Sequence, residues 1–299
     1  VDGRGAGWQG GRRLGYCCFA RDCWGLVMLA RSMSLVAAAM VSISAPAPVA
    51  DPVTAWSIEP SDVRCVAVRK YGTANKPVTL ALKAPPMGSA MQLAIIRHGY
   101  RNKASQIDTT VTLDGRAFAT YALVYPLGFP ARQSNQSVSL VHLPPAAADV
   151  VRHAKDLDVR IKETSNDDFA LGAPKDVWMK MDECLTRLRD TWNVGEVNAA
   201  RVASPPVDIV PLQSIFTPDD YPPIAAWKEF SGTTAVLLLI DEKGEVKDCT
   251  LTESSGMAII DSRTCALISF KGRFKPATGA DGKPIKSGWA KRITWRVVD

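Results

Sequence analysis

Gly232-Thr233-Thr234-Ala235-Val236-Leu237-Leu238-Leu239-Ile240-Asp241 is the most apolar strand-like run downstream of residue 50, and its reading decides how the C-terminal part folds. Glu242-Lys243-Gly244 follows as a turn, with glycine free to take the positive φ that a tight hairpin needs. Residues 245–252 return as a second strand. Ser254 or Ser255 is then a candidate N-cap. Behind it Met257, Ile260, Thr264, Leu267 and Ile268 fall on one face of a helix ending near Phe270. A last strand over 289–298 alternates Ile293, Trp295 and Val297 with Arg292, Thr294 and Arg296, so one face is buried and the other wet. Upstream, Pro222 is placed to start a helix, with Ile224, Ala225 and Trp227 toward a core.

The order of these features resembles the C-terminal domain of the TonB energy-transducer family. The resemblance rests on Tyr221-Pro222, Gly232, Ile240-Asp241 with Gly244, Ser254-Ser255-Gly256 and Asp261. It continues through Arg273-Phe274-Lys275-Pro276-Ala277, Asp281-Gly282-Lys283-Pro284 and the final strand. It implies a three-stranded antiparallel sheet with two helices on one face, over residues 218–299. It also implies a partner: a TonB-box-like peptide of an outer-membrane transporter, added as a strand beside the last strand. Exposed strand edges make such addition physically natural. The residues so implicated are Tyr221, Pro222, Ala290, Arg292, Ile293, Thr294, Trp295 and Arg296, against the plainer reading that Tyr221 and Trp295 are core side chains. Cys249 on the second strand and Cys265 on the helix lie within reach of a disulfide if the helix packs on the sheet; two buried free thiols are the alternative.

Residues 51–194 read as a mainly antiparallel β domain of unassigned family. Short alternating runs at 64–69, 78–82, 91–95, 109–113 and 137–143 are punctuated by turn residues such as Asp114-Gly115-Arg116. A helix is expected over 144–154. The segment closes on an amphipathic helix over 175–192, where Val177, Trp178, Met181, Leu185, Leu188 and Trp192 recur three and four apart. Cys65 in an early strand and Cys184 in this helix read as a disulfide spanning the domain, against two free thiols. Residues 195–217, with Ser204-Pro205-Pro206 and Pro211, read as a short linker. The fold class expected is therefore α+β.

Residues 1–50 differ from the rest. Arg31, the apolar run 33–43 and the small-residue tract ending Ala47-Pro48-Val49-Ala50 have the order of a secretory signal peptide. Residues 1–27 precede Met28 and Met33 and are expected to lie outside the native protein. The alternative is an uncleaved anchor over 23–43. The leader holds five of the 36 Lys+Arg and two of the 30 Asp+Glu, so the formal charge of +6 becomes +3 without it. That field is too weak to argue for nucleic acid or for an anionic membrane surface. Membrane contact is expected only if the leader is retained. Of seven Cys, four remain, an even number that fits two disulfides in an oxidising compartment such as the periplasm of a Gram-negative bacterium.

Catalysis is not expected. His98, His142 and His153 form no metal pattern, and no nucleophile elbow, phosphate loop or dinucleotide fingerprint occurs. His98 beside Arg97 and Arg101 reads as a strand end more readily than as an anion site. Asp167-Asp168 and Asp219-Asp220 read as solvated loop carboxylates. No cofactor and no metal is implied. The expected function is a periplasmic interaction protein that binds an envelope partner by strand addition. One alternative is an anchored energy transducer, from which this chain departs in lacking a long Pro-rich arm. Another is a ligand-binding protein with a TonB-like adaptor. Oligomeric state is not readable.

Overall fold

The computed structural model describes residues 52–59, 61–99, 103–127, 135–172 and 175–297, which belong to one compact unit. The expected leader lies outside these residues.

Nine antiparallel strands form the first sheet: β1 (Ser57–Glu59), β2 (Cys65–Thr73), β3 (Lys76–Ala84), β4 (Gln92–His98), β5 (Ser105–Leu113), β6 (Arg116–Pro126), β7 (Gln136–His142), β8 (Asp156–Ile161) and β9 (Ser165–Ala170). Their spatial order is β1-β2-β3-β4-β7-β6-β5-β8-β9. The β5–β6 turn is Asp114-Gly115, both with positive φ, the geometry whose twist matches a two-residue hairpin. Helix α1 (Pro145–Val150) carries the chain from β7 to β8.

The sheet is curled, and the far ends of its strand order meet through side chains. Tyr71 on β2 donates to the Ala170 carbonyl at 3.0 Å, and Arg69 and Trp56 donate to that of Leu171 at 2.8 and 3.0 Å. The Tyr71 and Phe169 rings meet edge to face, 4.9 Å apart. Helix α2 (Lys175–Thr191) packs against the concave side, burying Val177, Trp178, Met181, Leu185 and Leu188 among Leu80, Leu93, Val111 and Leu157. A disulfide joins Cys65 on β2 to Cys184 on α2, with Cα atoms 6.0 Å apart.

Residues 195–217, expected to be a plain spacer, are structured. Helix α3 (Glu196–Ala199), the two-residue strand β10 (Val207–Asp208) and helix α4 (Leu212–Ile215) lie within them. The Asp208 carboxylate accepts from the Leu212 N–H, and Leu212 and Ile215 are buried beside Ile268 and Phe274. Two apolar residues one turn apart are enough to dock a short helix, although too few to show periodicity.

A 3-10 turn (Pro218–Asp220), helix α5 (Pro223–Trp227), β11 (Gly232–Ile240), β12 (Val246–Glu253) and helix α6 (Ala258–Lys271) follow. The chain ends with β13 (Phe274–Lys275), which pairs β10, then β14 (Ala277–Thr278) and β15 (Pro284–Ile285), which pair each other, and β16 (Ser287–Trp295). The second sheet has the order β12-β11-β16. Cys249 on β12 is bonded to Cys265 on α6, with Cα atoms 5.5 Å apart.

Strand β11 is covered on both faces, which is why its sequence is continuously apolar. Val236, Leu238 and Ile240 pack with Ile268 of α6, whereas Leu237 and Leu239 join the core of the first sheet. Gly244 has φ 82°, and a Cβ there would come within 1.9 Å of the Phe274 carbonyl oxygen. Both conditions restrict the position to glycine.

Two expectations are corrected. Trp227 is 80 % exposed and Ile224 is exposed as well, because the five residues of α5 turn only Ala225 inward. The serines do not cap α6, whose N-cap is Met257 without a side-chain bond. Instead the Ser255 N–H, the Ser254 hydroxyl and the Thr234 hydroxyl all donate to the buried Asp261 carboxylate. A buried carboxylate needs several donors, and the two serines supply them together with Thr234.

Candidate functional site

The three-stranded sheet has two edge strands, β12 and β16. Strand β12 lies against the first sheet. Buried Asp248 pairs with Arg64 at 3.1 Å and Lys83 at 3.5 Å, and a Cβ on Gly88 would come within 2.9 Å of the Thr252 Cβ. Strand β16 pairs β11 along Ser287–Trp295, from Ile240↔Ser287 to Gly232↔Trp295, and among the described residues no other strand flanks it.

The direction of each backbone group on β16 follows from one bond. The Gly288 N–H points away from β11, donating to the Trp192 carbonyl at 2.7 Å. In an antiparallel pair the N–H and C=O of one residue point the same way, and alternate residues point oppositely. Gly288, Ala290, Arg292 and Thr294 therefore turn their backbone groups outward. Trp289, Lys291, Ile293 and Trp295 turn theirs toward β11.

The eight implicated residues separate into two groups. Ala290, Arg292, Thr294 and Arg296 are exposed. Arg292 forks onto Glu253, and the Thr294 hydroxyl meets that of Thr233 at 2.9 Å. Tyr221, Pro222, Ile293 and Trp295 stand behind the edge. Trp295 is 5 % exposed, donates its indole N–H to Thr264 at 2.9 Å, and takes the Phe216 and Tyr221 rings edge-on at 5.3 and 5.6 Å. The Tyr221 hydroxyl donates to the Phe230 carbonyl. These side chains pack behind the strand and hold it in place.

Asp220 carries a role that sequence reading missed. Its carboxylate accepts from the Thr217 N–H and hydroxyl at 3.1 and 2.9 Å, from Lys271 at 3.0 Å and from Arg263 at 2.6 Å. The Lys271 ammonium above all, then the Thr217 hydroxyl and N–H, hold it well below the usual carboxylate range. It ties the segment before α5 to α6, behind β16. The legible sign was the spacing Thr217-x-x-Asp220, that of a reciprocal cap. Because the folded state holds this carboxyl ionised, its contribution is complete above about pH 4 and fades as pH falls toward the folded value. Asp220→Asn should cost roughly 2 kcal/mol at pH 7, discounted for partners that remain partly solvated. Urea melts should show that gap closing on acidification; a gap that stays constant down to pH 2 would contradict the assignment.

Asp167, Asp168 and His142 are built into the first sheet, whereas His98 and His153 are exposed. Asp167 and Asp168, expected in a loop, belong to β9: Asp167 pairs with Arg97 at 2.6 Å and Asp168 with Arg160. His98 is exposed at the end of β4, and Arg101 lies outside the described residues. His142 is buried against Gln92, and burial pushes its pKa down. Among the described residues no group of three or more His, Cys, Asp or Glu is arranged to hold a metal ion.

Residues 217–297, just over a quarter of the chain, match the family described as Gram-negative bacterial TonB protein C-terminal. Among curated proteins nothing matches the chain.

Proposed function

Residues 217–297 being a TonB-family C-terminal domain, an interaction domain and not an enzyme family, we propose that this protein binds an extended segment of an outer-membrane transporter in the Gram-negative periplasm. The segment adds as a fourth strand alongside β16. The observation that carries this reading is the row of outward backbone groups at Ala290, Arg292 and Thr294 on a strand that, among the described residues, pairs another strand on its other side alone. Such a row templates strand addition, with the main chain supplying affinity.

Site-specific photocrosslinking tests it. A photoreactive residue at Thr294 should capture an outer-membrane transporter in envelope extracts through its periplasmic extended segment. The same probe at Lys180, exposed on α2, should not. Equal capture from both positions, or none from Thr294, would sink the proposal. The leader reading adds a second expectation. Among the described residues no helix is long and apolar enough to cross a membrane. A released binding protein should start at or near Asp51 when the mature form is sequenced, whereas an anchored energy transducer would keep the apolar run 33–43.

A further inference from the structure

We infer that Trp192, Asn193 and Val194, just past α2, put a fixed stop on the β16 edge, so that an added strand lies opposite 290–294 and ends at Gly288. This rests on the strand-addition reading above. At Gly288 the position that a partner strand's carbonyl would take is already filled by the Trp192 carbonyl, 2.7 Å from the Gly288 nitrogen. One residue further, the Asn193 side-chain amide donates to the Lys286 carbonyl at 2.8 Å. Val194 then closes the space over Gly288, where a Cβ would come within 2.4 Å of its Cγ2. The stop is firmly held. Trp192 is 2 % exposed, its indole donates to the Asp62 carbonyl at 2.6 Å, and its N–H donates to the Leu188 carbonyl at the end of α2.

The chain thus supplies the first rung of its own added strand. Three outward residues remain, Ala290, Arg292 and Thr294, and alternate pairing opposite them spans about five partner residues. The charge of the edge sets the sign of the partner. Lys286, Lys291 and Arg296 have no acidic partner among the described residues, their neighbours Lys283 and Arg292 being paired with Asp281 and Glu253. An added strand carrying carboxylates complements them.

Residue-resolved amide exchange by NMR on the full chain tests the stop, using capped peptides of alternating Glu and Val with four, six and eight residues. In the free protein the Gly288 amide should exchange slowly, and those of Ala290, Arg292 and Thr294 fast. On adding peptide those three should become protected while Gly288 stays as it was. Affinity should rise roughly fivefold from four to six residues, one more hydrogen-bonded pair, and less than twofold from six to eight. Alternating Lys and Val should bind at least tenfold more weakly. A fast Gly288 amide in the free protein, release of that amide by the longer peptides, a further fivefold gain at eight residues, or equal binding of the Lys series would each overturn the inference with strand addition intact. Failure of every peptide to protect Ala290, Arg292 and Thr294 would bring down the strand-addition reading and the stop together.

Discussion

Replacing Cys65 and Cys184 together with alanine should lower the stability of the oxidised protein by about 5 kcal/mol, the largest effect expected of any change outside the site. The bridge closes a chain segment with a sequence separation of 119 residues, so in the unfolded state it removes far more conformational freedom than Cys249–Cys265, whose separation is 16. The shorter loop is worth about 3 kcal/mol by the same arithmetic. For a chain of this size, 5 kcal/mol corresponds to a fall in melting temperature of about 10–20 °C. Urea and thermal melts of the two double variants decide the matter, and the order counts as much as the size. If the Cys249/Cys265 variant proves the weaker, loop entropy is not what the long bridge contributes. The helix keeps its apolar stripe against the first sheet in either case, so the Cys65/Cys184 variant should still fold at low temperature.

How far the residues announced this architecture differs from element to element. The run 232–241 was legible because β11 is buried on both faces, and continuous apolarity is what that requires. Helices α2 and α6 were legible because each buries a stripe with helical spacing. The packing of the first sheet was not. Its strands read singly as short alternating runs, but the pairing of β4 with β7, about forty to fifty residues apart, and the meeting of β2 with β9 through Arg69, Tyr71 and Phe169, about a hundred residues apart, leave no local trace. The carboxylates misled for a related reason. Asp167, Asp168 and Asp220 look solvated in sequence, and each is held by an arginine or lysine on another strand or helix. At the edge itself, the strand and its alternation were legible down to the exposed Arg292 and Thr294. That the Trp192 carbonyl occupies the Gly288 N–H was not, because a backbone bond between the residue after α2 and β16 has no side-chain signature.

Ala290→Pro should weaken partner binding strongly while leaving the fold in place, whereas Lys291→Pro, one residue along, should damage the fold itself. Proline removes an N–H and adds a ring in its place, so its effect depends on which way that N–H points. At Ala290 the group faces outward and the side chain is exposed, so the ladder to β11 is untouched and the melting temperature should move by no more than about 3 °C. The partner's carbonyl, however, loses its donor, and the ring holds its backbone off. An unmet buried acceptor costs about 1–3 kcal/mol, so binding should weaken roughly tenfold to a hundredfold. At Lys291, opposite Val236, the N–H faces inward. Proline there removes a rung of the ladder that holds β16 to the sheet and should destabilise the protein by about 3 kcal/mol or more. Melts and binding isotherms of the two variants, run side by side, expose the alternation directly. If Ala290→Pro binds the partner as tightly as the parent chain, β16 is not where the partner strand adds, whatever Lys291→Pro does to the fold.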